Sequence, residues 1–162
     1  MKRLLPILMG FALLLLSSTE GWSADFKTGA IAYKNGDYAS ALREWEPLAE
    51  QGNTSGQFNL GFMYQYGKGI TKNEEKAVRW YRLAAGQGNA DAQVHLGLMY
   101  RSGKGVVQDH VRSHMWWSIA ASQGDQDARE RRNNIAKKMT PFQRETSQYL
   151  TLECVRKKYK GC

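Results

Sequence analysis

Apolar residues recur at helical spacing along most of the chain. Between residues 74 and 88 they follow an i, i+3, i+4, i+7, i+8 pattern, formed by Ala77, Trp80, Tyr81, Ala84 and Ala85. This spacing predicts a helix with one buried face. Leu60, Gly61 and Tyr64 lie three and four residues apart and predict a preceding helix with its own apolar stripe. Together the two segments indicate a helical hairpin.

The hairpin pattern occurs twice. Residues 53–88 and 89–124 are identical at 14 of 36 positions, whereas ordinary residue usage would give about two. The identical pairs include Leu60 and Leu96, Gly61 and Gly97, Tyr64 and Tyr100, Gly67 and Gly103, Gly69 and Gly105, Trp80 and Trp116, and Gly88 and Gly124. Tyr81 corresponds to Trp117, another aromatic residue. A period in the mid-thirties is typical of stacked helical repeats. The predicted fold is all-α, a right-handed α-solenoid of helix-turn-helix hairpins.

The repeated glycines have two predicted roles. Gly61 and Gly97 lie inside helices, where glycine is unfavourable, and this indicates close approach of another helix. Gly67 and Gly103 are predicted to end the first helix of each unit in the left-handed conformation.

The second helix of each unit has predicted boundaries at both ends. Asn73 and Asp109 are preferred N-cap residues. Gly88 and Gly124 are predicted to end these helices.

Two segments flank the repeats. About three hairpins are needed to bury a solenoid core, so these segments are expected to complete it. Residues 25–52 contain a shortened, tetratricopeptide-like hairpin pattern, and residues 125–162 a basic, helical C-terminal cap. The final helix begins at a capping box at Thr140. Its predicted contacts are Phe142, Tyr149, Leu150 and Val155.

Residues 1–24 have the pattern of a secretory signal peptide. A basic start precedes 13 uncharged, apolar residues from Leu4 to Leu16, fewer than the roughly 18 needed to span a bilayer. The alternative is an uncleaved N-terminal anchor. We therefore expect an exported protein that is located in the periplasm. Secretion from the cell is the alternative.

The positive charge is concentrated in the predicted cap. The chain has a formal net charge of +8, and residues 125–162 hold ten basic and five acidic residues. For an exported protein, such a patch favours an anionic envelope surface over nucleic acid as partner. The alternative is that these charges only solvate exposed helices.

Cys154 and Cys162 are the only cysteines. In an oxidising compartment the pair is expected to form a disulfide. An unbroken helix would separate their α-carbons by about 12 Å, too far for a bond. The last helix is therefore expected to end before Gly161, with the tail turning back. A redox-active pair is the weaker reading, since the spacing is not Cys-x-x-Cys.

At these positions the chain resembles the Sel-one-like (Sel1-like) repeat family, a relative of the tetratricopeptide repeats. The matching motif is Leu60-Gly61, Tyr64, Gly67, Gly69-Ile70, Asn73, Ala77, Trp80-Tyr81, Ala84-Ala85 and Gly88, and it returns in the second unit. Ser113 departs from the alanine that the family prefers. The resemblance implies a right-handed solenoid that binds proteins, usually as an adaptor.

Catalytic and metal-binding patterns are weak. His110 and His114 have the i, i+4 spacing of paired metal ligands, but Val111 replaces the glutamate of a zinc protease motif. No third ligand is evident. His114 also occupies the position of Val78, which is predicted to be a packing position. We predict no metal, no cofactor and no enzymatic activity.

The predicted binding surface is the concave side of the solenoid. By analogy with tetratricopeptide grooves, it is formed by side chains of the first helices, namely Phe62, Gln65, Leu98 and Arg101, with Phe58, Val94 and His95 beside them. Apolar positions beside polar ones suit a peptide or helix. The alternative is that Phe58, Val94 and Phe62 only pack between neighbouring helices.

The predicted function is a protein-interaction module or adaptor in the bacterial cell envelope. Its partner would be a protein or peptide. Two other functions are considered: a hydrolase acting on cell wall or β-lactam substrates, and a membrane-surface assembly factor that uses the basic C-terminal cap. The sequence contains no convergent catalytic pattern, which favours the interaction module.

Overall fold

The computed structural model describes residues 24–162, and this part of the chain consists of helices without strands. The signal-peptide prediction falls on residues 1–23 and lies outside the described residues, apart from Ala24. The helices are α1 (Phe26–Lys34), α2 (Tyr38–Glu50), α3 (Thr54–Tyr66), α4 (Glu74–Ala85), α5 (Ala90–Ser102), α6 (His110–Ser122), α7 (Gln126–Ala136) and α8 (Pro141–Arg156). Within residues 24–162, no helix is both long and apolar enough to cross a membrane.

From α1 to α7, each helix packs against the next one in the chain. The two repeats are the hairpins α3–α4 and α5–α6. Gly67 and Gly103 cap α3 and α5 with φ angles of 66° and 67°, the left-handed conformation that was predicted. Asn73 accepts a hydrogen bond from the backbone N–H of Lys76 at 2.8 Å and begins α4. The predicted all-α solenoid is confirmed.

The helical glycines allow the two helices of a hairpin to approach closely. A Cβ atom on Gly61 would lie 2.8 Å from Cδ1 of Tyr81. On Gly97 it would lie 2.3 Å from Nε1 of Trp117. Both distances are below van der Waals contact. The aromatic ring of the second helix therefore packs on bare backbone of the first, as the sequence predicted.

The two repeats differ in how they bury their aromatic pairs. Tyr81, Trp116 and Trp117 are buried, but Trp80 is only half-buried at the edge of the core. The reason is that α6 packs against three helices, α5, α7 and α8, whereas α4 packs against α3 and α5. A helix surrounded on three sides buries residues around most of its circumference.

The predicted ends of the second helices need a small correction. The helix α4 ends at Ala85 and α6 at Ser122, before Gly88 and Gly124. These glycines lie in the following turns, with φ angles of 90° and 99°. Their left-handed backbone reverses the chain after the helix has already ended.

The final helix does not continue the stack. It packs on α6, so the chain turns back after α7. The expected contacts of Phe142, Tyr149 and Val155 are wrong, because these side chains are 77%, 63% and 44% exposed. Leu150, the fourth predicted contact, does pack against the core.

The buried face of α8 is narrow and carries small or polar side chains. Ser147 and Cys154 are its buried residues. Nδ1 of His114 on α6 lies 2.8 Å from Oγ of Ser147. Cys154 is joined to Cys162 by a disulfide with a Cα–Cα distance of 5.6 Å. The hydrogen bond therefore joins α8 to α6, and the disulfide joins the tail to α8.

Acid should weaken this attachment. Burial, with the charges of Arg132 and Arg144, lowers the pKa of His114 to about 4. The unfolded chain binds a proton near pH 6.5 while the folded chain does not, so stability is lost as pH falls from about 6.5 towards 4. Between pH 7 and pH 5 we expect a loss of about 1–2 kcal/mol from this group, measured by urea unfolding.

Two glutamine variants provide the comparison. His114→Gln should remove this part of the acid sensitivity. His110→Gln should retain it, because His110 lies at the first position of α6 and is half-exposed. Equal acid sensitivity in both variants would contradict the assignment.

Candidate functional site

The first helices of successive hairpins form one continuous surface. Ring contacts join them. The ring centroids of Tyr33 on α1 and Phe62 on α3 are 6.4 Å apart, and those of Phe62 and His95 on α5 are 5.8 Å apart. We call this surface, formed by the outward sides of α1, α3, α5 and α7, the first-helix face. All seven of the predicted binding residues belong to α3 or α5.

An aromatic recess occupies the N-terminal half of the first-helix face. It is a cavity of about 210 Å³ lined by Tyr33, Trp45, Phe58, Asn59 and Phe62. Phe58 and Phe62 are half-buried, so part of each ring faces solvent. The exposed Tyr66 ring extends the recess, with its centroid 4.4 Å from that of Phe62. The recess can accept an apolar side chain.

Gln65 and His95 belong to a hydrogen-bonded network beside the recess. The Tyr81 hydroxyl donates to Oε1 of Gln65 at 2.6 Å, and Nδ1 of His95 lies 3.0 Å from the same oxygen. Burial lowers the pKa of His95, so its ring is neutral at pH 7 and donates from Nδ1. The network links α3, α4 and α5, and it fixes the orientation of both side chains.

A charged recess occupies the other half of the first-helix face. It is a cavity of about 860 Å³ between α5 and α7, and its lining includes Leu98, Arg101, Asp127, Arg131 and Lys138. Arg101 is exposed and makes no ion pair with any residue in the described range. Arg131 pairs with Asp127, and the remaining cations, Arg101 and Lys138, outnumber the carboxylate of Glu130, so this recess can accept a carboxylate.

The structure divides the predicted residues into two groups. Phe58, Phe62, Gln65 and His95 lie together at the aromatic recess. Leu98 and Arg101 line the charged recess, and Val94 packs with Leu98 on the core beneath it.

Sequence reasoning missed several residues of both recesses, namely Tyr33, Asn59 and Tyr66 in the first and Asp127 and Arg131 in the second. Tyr33 could have been found from its place in the degenerate first hairpin. Asp127 and Arg131 have an i, i+4 spacing on α7 that signals an exposed ion pair.

The His110 and His114 pattern does not form a metal site within the described residues. His110 and His114 are not joined by a third ligand, and no group of three metal-binding side chains occurs within residues 24–162. His114 and Ser147 are within hydrogen-bonding distance, but both are buried between α6 and α8. A substrate has no access to that serine.

A row of helical hairpins whose first helices share one continuous surface defines an α-solenoid repeat protein. The Sel1 repeat family matches residues 54–89 and 90–125 of this chain. The chain therefore contains two Sel1-like repeats. The matched repeats are shifted by one residue from those read from the sequence. Sel1 repeat proteins generally mediate protein–protein interaction, on a scaffold that is typically not enzymatic.

Solved structures show the same fold. A protective antigen of uropathogenic Escherichia coli strains with an SLR fold aligns with a TM-score of 0.77 and 33% identity, covering 81% of this chain and 29% of the antigen. A Sel1 repeat protein from Oxalobacter formigenes aligns with a TM-score of 0.66 and 34% identity, covering 68% of this chain and 46% of that protein.

Two curated relatives share the name exopolysaccharide production negative regulator. The protein from Rhizobium meliloti (strain 1021) is 36% identical over 66 residues, which cover 41% of this chain and 25% of the relative. The protein from Rhizobium leguminosarum bv. viciae is 38% identical over 56 residues, covering 35% of this chain and 21% of the relative. The chain thus matches about a quarter of these relatives or less.

Proposed function

We propose that this protein is a non-enzymatic adaptor that binds a protein partner on its first-helix face. The observation that carries the proposal is the pairing of two different recesses on one surface. The aromatic recess around Phe58 and Phe62 suits an apolar side chain, and the charged recess around Arg101 suits an acidic one. A partner helix or peptide with both residue types would engage both recesses.

The network beneath the face supports binding by a rigid surface. Gln65 receives hydrogen bonds from two other helices, and the Phe62 ring packs against Tyr33, Phe58, Tyr66 and His95. Side chains held in this way lose little conformational entropy when a partner binds.

We further propose that the adaptor acts in the cell envelope after export, with the periplasm as its compartment and secretion as the alternative. The signal-like pattern in residues 1–24 and the Cys154–Cys162 disulfide support export. Its pathway would be envelope regulation, in the manner that the name of the rhizobial relatives suggests for those proteins.

The alternative functions have less support. A membrane-surface role would use α8 with its exposed Phe142, Tyr149 and Leu152 and the basic tail after it. Glu145 is exposed and lies between Phe142 and Tyr149 on the same side of α8. Its negative charge would repel an anionic surface. A hydrolase would need an accessible nucleophile beside a base, whereas Ser147 and His114 are buried.

The test is crosslinking of the tagged protein in envelope extract, followed by affinity recovery. The variant Phe62→Ala, Leu98→Ala, Arg101→Ala should recover at least about tenfold less of its partner, because truncation of anchor residues costs about 1–2 kcal/mol or more each. A matched variant, Phe142→Ala, Leu152→Ala, Arg79→Ala, removes the same residue types from exposed positions off the face and should recover the normal amount.

Folding must be separated from binding, because Leu98 also packs on the core. Thermal unfolding is measured for both triple variants. Arg101→Glu serves as a second test, since Arg101 is exposed and its substitution leaves the core intact. Normal recovery by Arg101→Glu and by a folded triple variant would overturn the proposal.

A further inference from the structure

A third cavity, of about 790 Å³, lies away from the first-helix face. It is bounded by the end of α4, the loop before α6, α6 itself and the tail after α8. Its lining includes Arg82, Leu83, Val107, Trp116 and Lys160. It shares with the charged recess only Gln108, which is part of the loop between them.

The charges in the cavity wall favour an anion. Asp109 is the carboxylate side chain of the lining, and Arg112 neutralises it through an ion pair of 2.8 Å. Arg82 and Lys160 have no carboxylate partner within the described residues. One N–H of Arg82 donates to the Tyr100 hydroxyl at 2.8 Å, which orients the guanidinium while its other donors stay available.

The wall also contains an unpartnered donor. Nε1 of Trp116 is buried and has no hydrogen-bond acceptor within the part of the chain that the structure describes. Among the buried side-chain nitrogen and oxygen atoms of residues 24–162 it is the exception. A buried donor without an acceptor costs about 1–3 kcal/mol, and the packing of the Trp116 ring in the core offsets this cost.

The wall formed by the tail is built at a conformational cost. Lys158 and Tyr159 have φ angles of 51° and 66°, in the left-handed region that side chains other than glycine rarely adopt. The N–H of Tyr159 donates to the carbonyl of Cys154 at 2.8 Å, and the disulfide holds Cys162 on the same helix. The tail is thereby kept beside the turn that follows α4, where the Tyr159 ring lies 3.3 Å from the position that a Cβ atom on Gly88 would occupy.

We propose that this cavity binds a carboxylate with an adjoining apolar group, of the kind presented by the C-terminal residue of a peptide. Arg82 and Lys160 contact the carboxylate, and the exposed Leu83 and Val107 contact the apolar group. The Trp116 ring lies in the wall beside them. This site is independent of the adaptor function proposed for the first-helix face.

The probe is N-acetyl-leucine, titrated into the full chain while the indole N–H signal of Trp116 is followed by NMR. The signal is assigned with Trp116→Phe. We expect a saturable shift, and binding of N-acetyl-leucinamide at least about tenfold weaker, because the amide has no charge. Acetyl-aspartyl-leucinamide, with a side-chain carboxylate only, should also bind at least about tenfold more weakly. Equal affinity for the carboxylate and the leucinamide, or no shift of Trp116, would overturn the proposal.

Charge variants test the named residues. Arg82→Gln with Lys160→Gln should weaken N-acetyl-leucine binding at least about tenfold. The control, Arg79→Gln with Lys137→Gln, removes the same charge from exposed positions outside the cavity and should bind within about twofold of the natural chain. The single variant Lys160→Gln is measured as well, because Lys160 is exposed on the tail and its substitution is not expected to affect folding. Normal binding by Lys160→Gln and the double variant, or equal losses in the control, would refute the assignment.

Discussion

Replacing Gly97 by alanine should lower the free energy of unfolding by about 2–3 kcal/mol, measured by urea denaturation. The new Cβ would lie 2.3 Å from Nε1 and 2.6 Å from Cδ1 of Trp117. The indole cannot move aside freely, because it is buried and its N–H donates to the Val94 carbonyl at 3.1 Å. The better helix propensity of alanine offsets only about 1 kcal/mol of this loss.

Two further variants identify the cause of that loss. Asp91→Ala changes an exposed residue of the same helix and should alter stability by no more than about 0.5 kcal/mol. Gly97→Ala combined with Trp117→Phe should be less unstable than the sum of the single variants, since the smaller ring relieves the contact. Strict additivity, or a Gly97→Ala variant as stable as Asp91→Ala, would show that the ring does not press on the backbone.

Removing the disulfide should cost about 2–3 kcal/mol in the free energy of unfolding, given the entropy of closing a short loop. The bridged residues are 8 apart in sequence. The double variant is Cys154→Ala with Cys162→Ala. Alanine is chosen because Cys154 is buried, and a polar replacement there would add a cost of its own. Hydrogen exchange at residues 157–162 should also become faster, because the bond holds the left-handed backbone of Lys158 and Tyr159.

Reductant provides the control for the disulfide prediction. Adding a thiol to the natural chain should lower its urea midpoint to that of the double variant, and the variant itself should not respond. A natural chain with the same midpoint in oxidised and reduced form would contradict the prediction.

The layout of the first-helix face was predicted in part. The repeat register identified the outward positions of the first helices, and Phe62, Gln65, Leu98 and Arg101 all lie on that side. The division into an aromatic and a charged recess was not predicted, because it depends on Tyr33 of α1 and on α7, which lie outside the regular repeats.

The C-terminal cap shows where hydrophobicity misleads. Phe142, Tyr149 and Val155 were expected to make contacts because they are apolar, yet α8 turns Ser147 and Cys154 inward. Its orientation follows from the His114 imidazole, which lies 2.8 Å from Ser147, and from the packing of Cys154 and Leu150 on the core.

The sequence by itself determined the helical hairpins of residues 53–124. Their signals are local and repeated: glycine at close approaches, left-handed glycine caps and N-cap side chains such as Asn73. The tertiary structure alone decided the return of α8 onto α6 and the cavity behind it. That arrangement joins residues of α4, α6 and the tail through single specific contacts, and no periodic pattern in the chain encodes such contacts.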